Sequence, residues 1–200
     1  TDKLTAMTDD WLLVETLGAE PAVVALGQQT QDMVPISTFL RRNASLMAIQ
    51  SAIGETVRAG LDALQALGAQ PHDWVLVHDA ARCLIRPEWI RQLLAQCHDD
   101  EVGGLLAVPL PDTLKASVLG QACVAATLPR QDKWLAQTPQ MFRWGLLRLA
   151  LQDLDEQITD EASAVERLGH QPRLVPCSIE NFKVTYPQDF LLAERLLATR

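Results

Sequence analysis

The spacing of apolar positions changes several times along the chain, and each change marks an element. Val57, Leu61, Leu64 and Leu67 recur at helical spacing and predict an amphipathic helix, with Gly68 just past its end. Trp74-Val75-Leu76-Val77 follows as a run suited to a buried strand, and it stops on His78-Asp79-Ala80-Ala81-Arg82. Pro87 then opens a helix whose apolar face is Trp89, Ile90, Leu93, Leu94 and Cys97. Gly103-Gly104 leads into Leu105–Pro109, a second buried strand. Strands alternating with helices in this way predict a three-layer α/β fold: a mostly parallel sheet with helices on both faces.

Ahead of residue 53 the pattern is weaker. Leu4, Met7, Trp11 and Leu12 sit at helical spacing, continued by Leu13 and Leu17 until Pro21 interrupts. Ala22–Leu26 is a short apolar run closed by Gly27 and predicts a buried strand. A short helix is read near residues 36–42 and a strand at Leu46–Ile49.

Residues 110–137 break the α/β rhythm. Two extended runs flank Gly120 and predict a β-hairpin with little core-forming bulk. We read it as an arm over residues 110–133 that projects from the sheet. Gln137–Phe142 is expected as a strand-to-helix junction continued by Leu146, Leu147, Leu149 and Ala150. Thr159 or Asp160 caps the next helix, with acidic residues favoured at its start and Ala164, Val165 and Leu168 on its buried face. Arg173–Pro176 and Asn181–Thr185 are predicted strands. Thr185 and Gln188 are read as a capping box around Pro187 for a last helix running to about Ala198.

Bulk properties narrow the function. Two hundred residues, 48% of them hydrophobic, suit a single folded domain over 1–200 with one arm. A net charge of −8 argues against a nucleic-acid partner. No apolar run approaches the ~20 residues of a membrane span, and no secretory signal is visible. The four cysteines are scattered and the four histidines make no ligand pattern, which argues against zinc and fits a cytoplasmic protein with reduced thiols.

Candidate chemistry gathers where the strand at 74–78 ends. Ligands of open α/β sheets bind beyond the carboxyl ends of the strands. Asp79-Ala80-Ala81-Arg82 offers there an anion for a metal, room beside the backbone, and a planar cation for phosphate. The same residues equally fit a buried strand whose Asp and Arg solvate a turn, and by themselves they do not choose.

Further segments stand in a telling order. Val77–Arg82 is followed by Pro111-Asp112-Thr113-Leu114-Lys115, then Trp134–Phe142, then Thr159-Asp160-Glu161-Ala162-Ser163, then Asn181–Asp189. Over roughly residues 54–200 the chain resembles the 2-C-methyl-D-erythritol 4-phosphate cytidylyltransferase family of isoprenoid biosynthesis. The resemblance implies a nucleotide-binding, Rossmann-like sheet, a homodimer joined through the β-arm, and transfer of CMP from CTP to a sugar-alcohol phosphate with Mg²⁺. It also implies roles. Asp79 would hold the metal, with Asn181 as a second polar group near it. Ala80 would lie against the ribose, and Lys183 would neutralise charge at the α-phosphate. Thr113, Arg130 and Thr138 would surround the methylerythritol phosphate, the first two reaching from the arm into the neighbouring subunit's site. Arg82 fits a phosphate-side role. His78 reads as structural, and Thr159 and Asp160 as capping residues.

Two departures stand beside the resemblance. The family's glycine-rich triphosphate loop, with its Gly-x-Gly-x-x-x-Gly and Pro-Lys-Gln segments, does not occur in residues 1–50. Thr56-Val57 matches a Ser/Thr-Val pair of the family, but Ile49–Ile53 lacks the glycines and arginine expected before it. Ser51 or Thr56 remains to contact cytosine. The expectation is that residues are missing from the N-terminal part of the sequence. The alternatives are a divergent enzyme, such as a ribitol 5-phosphate cytidylyltransferase, or an inactive nucleotide-binding homodimer.

Overall fold

A computed structural model describes residues 11–17, 20–25, 53–79, 81–153 and 158–199; for 11–25 and 53–56 the description covers the backbone. The readings at residues 36–42 and 46–49, the departures at 49–52, and Ala80 lie outside the described residues, as does the side chain of Thr56.

Among the described residues the main sheet has six strands. These are β1 (Trp11–Leu17), β2 (Glu20–Ala25), β3 (Trp74–Asp79), β4 (Gly103–Pro109), β7 (Trp134–Arg143) and β8 (Arg173–Pro176). A separate ribbon pairs β5 (Leu114–Ser117) with β6 (Val124–Leu128). The helices are α1 (Ile53–Ala66), α2 (Pro87–Cys97), α3 (Trp144–Ala150), α4 (Glu161–Arg167) and α5 (Pro187–Ala198). Across the sheet the order is β2-β1-β3-β7-β4-β8.

Side-chain alternation on the strands builds the layers. Val75, Val77, Leu105 and Phe142 face α1, α3 and α4 on one side of the sheet. Trp74, Leu76, Leu106, Met141 and Val175 face α2 on the other. A third cluster packs Cys83 and Leu84, just past β3, against Val184 and α5. Helices therefore cover both faces, as the strand–helix rhythm predicts.

The expected mostly parallel sheet is instead mixed. β3 runs parallel to β1 and β8 parallel to β4, but β7 is antiparallel to both β3 and β4, and β1 pairs antiparallel with β2. The reason lies in the connections. Parallel neighbours need a crossover, usually helical. The chain leaves β4 through the β5–β6 ribbon and returns beside it, so β7 enters in the opposite sense.

Other local expectations also change. Trp11–Leu17 is a strand rather than helix, and Pro21 lies within β2 at its edge-strand position. Leu67 lies past α1 and is 72% exposed, so the helical face ends at Leu64. Gln137–Phe142 lies inside a ten-residue strand, with a cis Thr138–Pro139 bond, and the helix starts only at Trp144. Asn181–Thr185 is not a strand; a 3-10 turn at Ile179–Asn181 leads into an irregular segment. Asp189, not Gln188, closes the start of α5: its carboxylate accepts from the N–H groups of Thr185 (2.9 Å) and Tyr186 (2.8 Å).

Candidate active site

Three chain segments meet beyond the end of β3. They are the turn at 79–82, the middle of β7, and the segment from 179 to 184. Asp79 supplies the carboxylate. Its backbone N–H donates to Thr138 Oγ1 at 2.9 Å, which ties the end of β3 to β7. Its Oδ1 accepts from the Ala81 N–H at 3.3 Å, so the side chain stiffens the turn it starts. Its Oδ2 lies 2.7 Å from Lys183 Nζ. Both side chains are partly exposed, 24% for Asp79 and 34% for Lys183, so the pair borders solvent and can be reached by a ligand.

Lys183 is delivered to this point by backbone contacts. Val184 N–H donates to the Ala81 carbonyl at 2.9 Å, which sews the 179–184 segment onto the turn. Asn181 holds the same segment from beneath. It is fully buried, and its Nδ2 donates to Gln137 Oε1 and to the Thr138 carbonyl, both at 2.9 Å.

Arg82 takes part in this brace. Its Nη1 donates to the Asn181 carbonyl at 2.9 Å and its Nη2 to the Ala136 carbonyl at 3.3 Å. Burial pulls its guanidinium below the usual range, with Asp79 and Cys177 opposing. The group expected to face a phosphate thus has two of its nitrogens committed to protein carbonyls. Asn181, expected beside a metal, likewise has its amide nitrogen committed, although its Oδ1 is buried without a hydrogen-bond partner.

Thr138, expected at the acceptor phosphate, ties β7 to the end of β3. Besides accepting from Asp79, its hydroxyl lies 3.1 Å from His78 Nδ1. Burial depresses the His78 ring to about 4, against a smaller raising influence from Asp79, so the ring is neutral at pH 7. The contact between His78 and Thr138 adds to the tie between β3 and β7.

Thr113 and Arg130 lie beside the β5–β6 ribbon and are exposed. Arg130 donates to the Pro111 carbonyl, which folds the base of the ribbon on itself. Neither is joined to Asp79, Thr138 or Lys183 by a hydrogen bond or ion pair among the described residues. An open groove of about 590 Å³ flanks Lys183, lined mainly by Ile179, Phe182, Tyr186, Leu192 and Leu196. Asp79 and Thr138 are not among its walls, so the polar chemistry sits at the strand end and not in that groove.

Besides Gln137, whose Oε1 accepts from Asn181, sequence reasoning missed two more buried polar residues here. Gln140 is 1% exposed and bridges β7 to the start of α4. Glu161, one of the acids expected at a helix start, is 4% exposed, and burial raises its carboxyl to about 7, with Asp160 and Asp79 adding to the rise and Lys183 opposing it. The Gln-Thr-Pro-Gln run inside an otherwise apolar strand was the available signal for the first. Asp160 is the N-cap, and its exchange of hydrogen bonds with Ser163 forms the capping box.

Among the described residues no three His, Cys, Asp or Glu side chains gather into a metal cage. A Mg²⁺ ion does not need one, since it takes one or two carboxylates plus waters and substrate phosphates. Asp79 fits that requirement, because its Oδ1 carries only one long backbone contact.

Solved structures of similar fold give the class. The chain superposes on the crystal structure of a 4-diphosphocytidyl-2C-methyl-D-erythritol synthase with a TM-score of 0.68 and 48% identity, over 72% of this chain and 66% of that one. It also matches the Francisella tularensis 2-C-methyl-D-erythritol 4-phosphate cytidylyltransferase, with a TM-score of 0.65 and 36% identity, over 71% of this chain and 66% of that one. The second, a cytidylyltransferase by name, belongs to the nucleotidyltransferases. A family model, IspD: 2-C-methyl-D-erythritol 4-phosphate cytidylyltransferase, matches residues 23–199, beginning well before residue 54 where the motif resemblance starts. The chain belongs to this 2-C-methyl-D-erythritol 4-phosphate cytidylyltransferase family. It is 49% identical over 197 residues to the Burkholderia multivorans enzyme of that name, covering 94% of this chain and 84% of the relative. It is 53% identical over 196 residues to a bifunctional IspD/IspF enzyme of Albidiferax ferrireducens, and there it covers 94% of itself but 46% of the relative. The chain thus spans about half of the bifunctional relative and most of the shorter one.

Proposed function

We propose that this chain transfers CMP from CTP to 2-C-methyl-D-erythritol 4-phosphate and releases pyrophosphate. The observation that carries the reading is the Asp79–Lys183 pair at the carboxyl end of β3, in a chain of this family. A phosphate oxygen of the acceptor attacks the α-phosphorus of CTP; that P–O bond forms as the bond to the departing pyrophosphate breaks. The attacking oxygen is already ionised at neutral pH, so the protein's task is to position reactants and offset charge.

Lys183 places its ammonium at the α-phosphate. Asp79 would hold Mg²⁺, which when bound offsets the charge of the phosphates. Thr138 presents its hydroxyl at the acceptor side, and Ala80 leaves room for the ribose. Thr56 is the group proposed for cytosine. Thr113 and Arg130 bind the acceptor phosphate of the neighbouring subunit, through a homodimer made by the β-arm. Arg82 and Asn181, given the carbonyls and amides they bind, serve this site as braces for Lys183 and not as direct ligands. The Rossmann-like nucleotide crevice and a cytoplasmic location belong to the same reading. No helix among the described residues is long and apolar enough to cross a membrane. The relatives do not favour ribitol phosphate as acceptor or an inactive protein.

The test is pyrophosphate release from CTP, Mg²⁺ and methylerythritol phosphate. The wild-type chain should release it, and Asp79→Asn should lower the rate on the order of 10²-fold or more. Near-normal turnover by that variant would remove Asp79 from the site.

A further inference from the structure

Val77, Gln140 and Leu105 lie side by side across β3, β7 and β4. Their face of the sheet is otherwise apolar, with Val75 and Phe142 in the same cluster. A buried amide in such a row costs free energy unless both of its ends are bonded, and an aliphatic side chain would carry no such demand. Both ends of Gln140 are bonded by one element. Its Oε1 accepts from the Ala162 N–H at 2.7 Å, and its Nε2 donates to Asp160 Oδ2 at 2.9 Å. Asp160 meanwhile caps α4 with its other oxygen, accepting from the Ser163 N–H at 2.9 Å.

The apolar side of α4 that meets the sheet is Ala162, Ala164 and Val165. Apolar contacts are non-directional, whereas the two bonds of Gln140 fix a register between α4 and the sheet. What they hold in place is the join between the start of α4 and the stretch of β7 where Gln140 pairs with Val77, two residues before Asp79, and follows by two residues Thr138, whose Oγ1 accepts from the Asp79 N–H at 2.9 Å.

We infer that Gln140 is a positioning residue: by gripping Asp160 and Ala162 it locks β7 to the start of α4, which fixes the stretch of β7 and β3 that holds Asp79, and so sets how Lys183, paired with Asp79, is presented to a phosphate. This rests on the transferase reading above. Gln140 itself touches no reacting group and acts through Asp160 and the join of β7 to β3.

A transposition of the two partners tests it. Gln140→Glu sets two carboxylates against each other. Asp160→Asn sets two amide donors against each other. The double variant Q140E/D160N restores one donor and one acceptor at the original net charge, and keeps an acceptor for Ala162 and a cap for α4. Turnover is followed together with the ¹³C signal of the Lys183 ε-carbon, which is tractable because the lysines are Lys3, Lys115, Lys133 and Lys183. Each single variant should lower kcat by roughly 10- to 10²-fold, as small misplacements do, and shift the Lys183 signal. The double variant should recover both. Lower melting temperatures with kcat, KM and the Lys183 signal unchanged would mean a brace for the core only, and would overturn the inference. So would a double variant as impaired as the singles. A wild-type chain that releases no pyrophosphate defeats the transferase reading alone, and the Lys183 signal across the four proteins then decides the role of Gln140.

Discussion

His78 and Glu161 pull the pH dependence of stability in opposite directions. Burial lowers the His78 ring from 6.5 to about 4. Between those values the unfolded chain binds a proton that the folded chain refuses, so stability is full above pH 6.5 and falls as pH drops toward 4. Burial raises the Glu161 carboxyl from 4.5 to about 7. There the folded chain keeps a proton that the unfolded chain has lost, so stability is full below pH 4.5 and falls as pH rises toward 7. Each shift corresponds to about 3 kcal/mol, and over the shared window they nearly cancel. Urea midpoints should therefore be almost flat from about pH 4.5 to 6.5. Glu161→Gln should match the wild type at pH 4.5, exceed it at pH 8, and expose the His78 limb as a rise between. Equal midpoints for the two proteins at pH 8 would rule this out. At this scale the sequence revealed the charged members of the site, Asp79 and Lys183, through ordered motifs. It did not reveal that Arg82 and Asn181 bond to carbonyls and amides of other segments, because those partners, on β7 and, for Arg82, also at the Asn181 carbonyl, lie more than forty residues away in the chain.

Elements were legible where a period was long and clean. α1, α2 and β3 follow from apolar spacing alone, whereas β7 does not. Its Gln137 and Gln140 are polar residues at buried positions, and they break the alternation that marks a strand. The 181–185 segment has strand-like composition, yet its amides and side chains bond to the 79–82 turn and β7 in place of a strand neighbour. Two glycines separate strain from crowding. Gly68 has φ +98° with nothing near a would-be Cβ, so Gly68→Ala should cost about 1 kcal/mol. Gly103 has φ +114° and a would-be Cβ only 2.0 Å from the Met141 carbonyl oxygen, so Gly103→Ala should cost several-fold more, on the order of 3 kcal/mol or above. Denaturant midpoints of the two variants should rank in that order. Asp160→Ala removes both the cap of α4 and the anchor of Gln140, so it should exceed the ~1 kcal/mol typical of a lost cap.

At the scale of the whole molecule, helices on both faces were foreseeable from the strand–helix rhythm, but the direction of β7 was not. Strand sense depends on how the chain returns from the β5–β6 ribbon, and local composition does not encode that. Every residue of β6 is exposed, including Val124 at 65% and Leu128 at 41%. A ribbon of this kind is only marginally stable alone and gains from a partner. If it carries Arg130 into a second subunit's site, Arg130→Ala and Lys183→Ala subunits have complementary defects. Mixed after co-refolding, they should release pyrophosphate faster than either variant alone. Activity no greater than the average of the two would place Arg130 in its own subunit's site.

The contact between Asp79 and Lys183 bears on the order in which ligands settle. The ammonium and a divalent cation compete for one carboxylate, so the cation alone should bind poorly. A triphosphate draws the ammonium away and frees that carboxylate, and the cation in turn offsets the charge the triphosphate brings. On the proposed transferase reading, Mg²⁺ and CTP should then be thermodynamically linked ligands, each tightening the other's Kd by the same factor, typically 5- to 150-fold for such coupling. Titrating each in the absence and presence of the other measures that factor. In Lys183→Met, where no ammonium competes, Mg²⁺ alone should bind more tightly and the linkage should weaken.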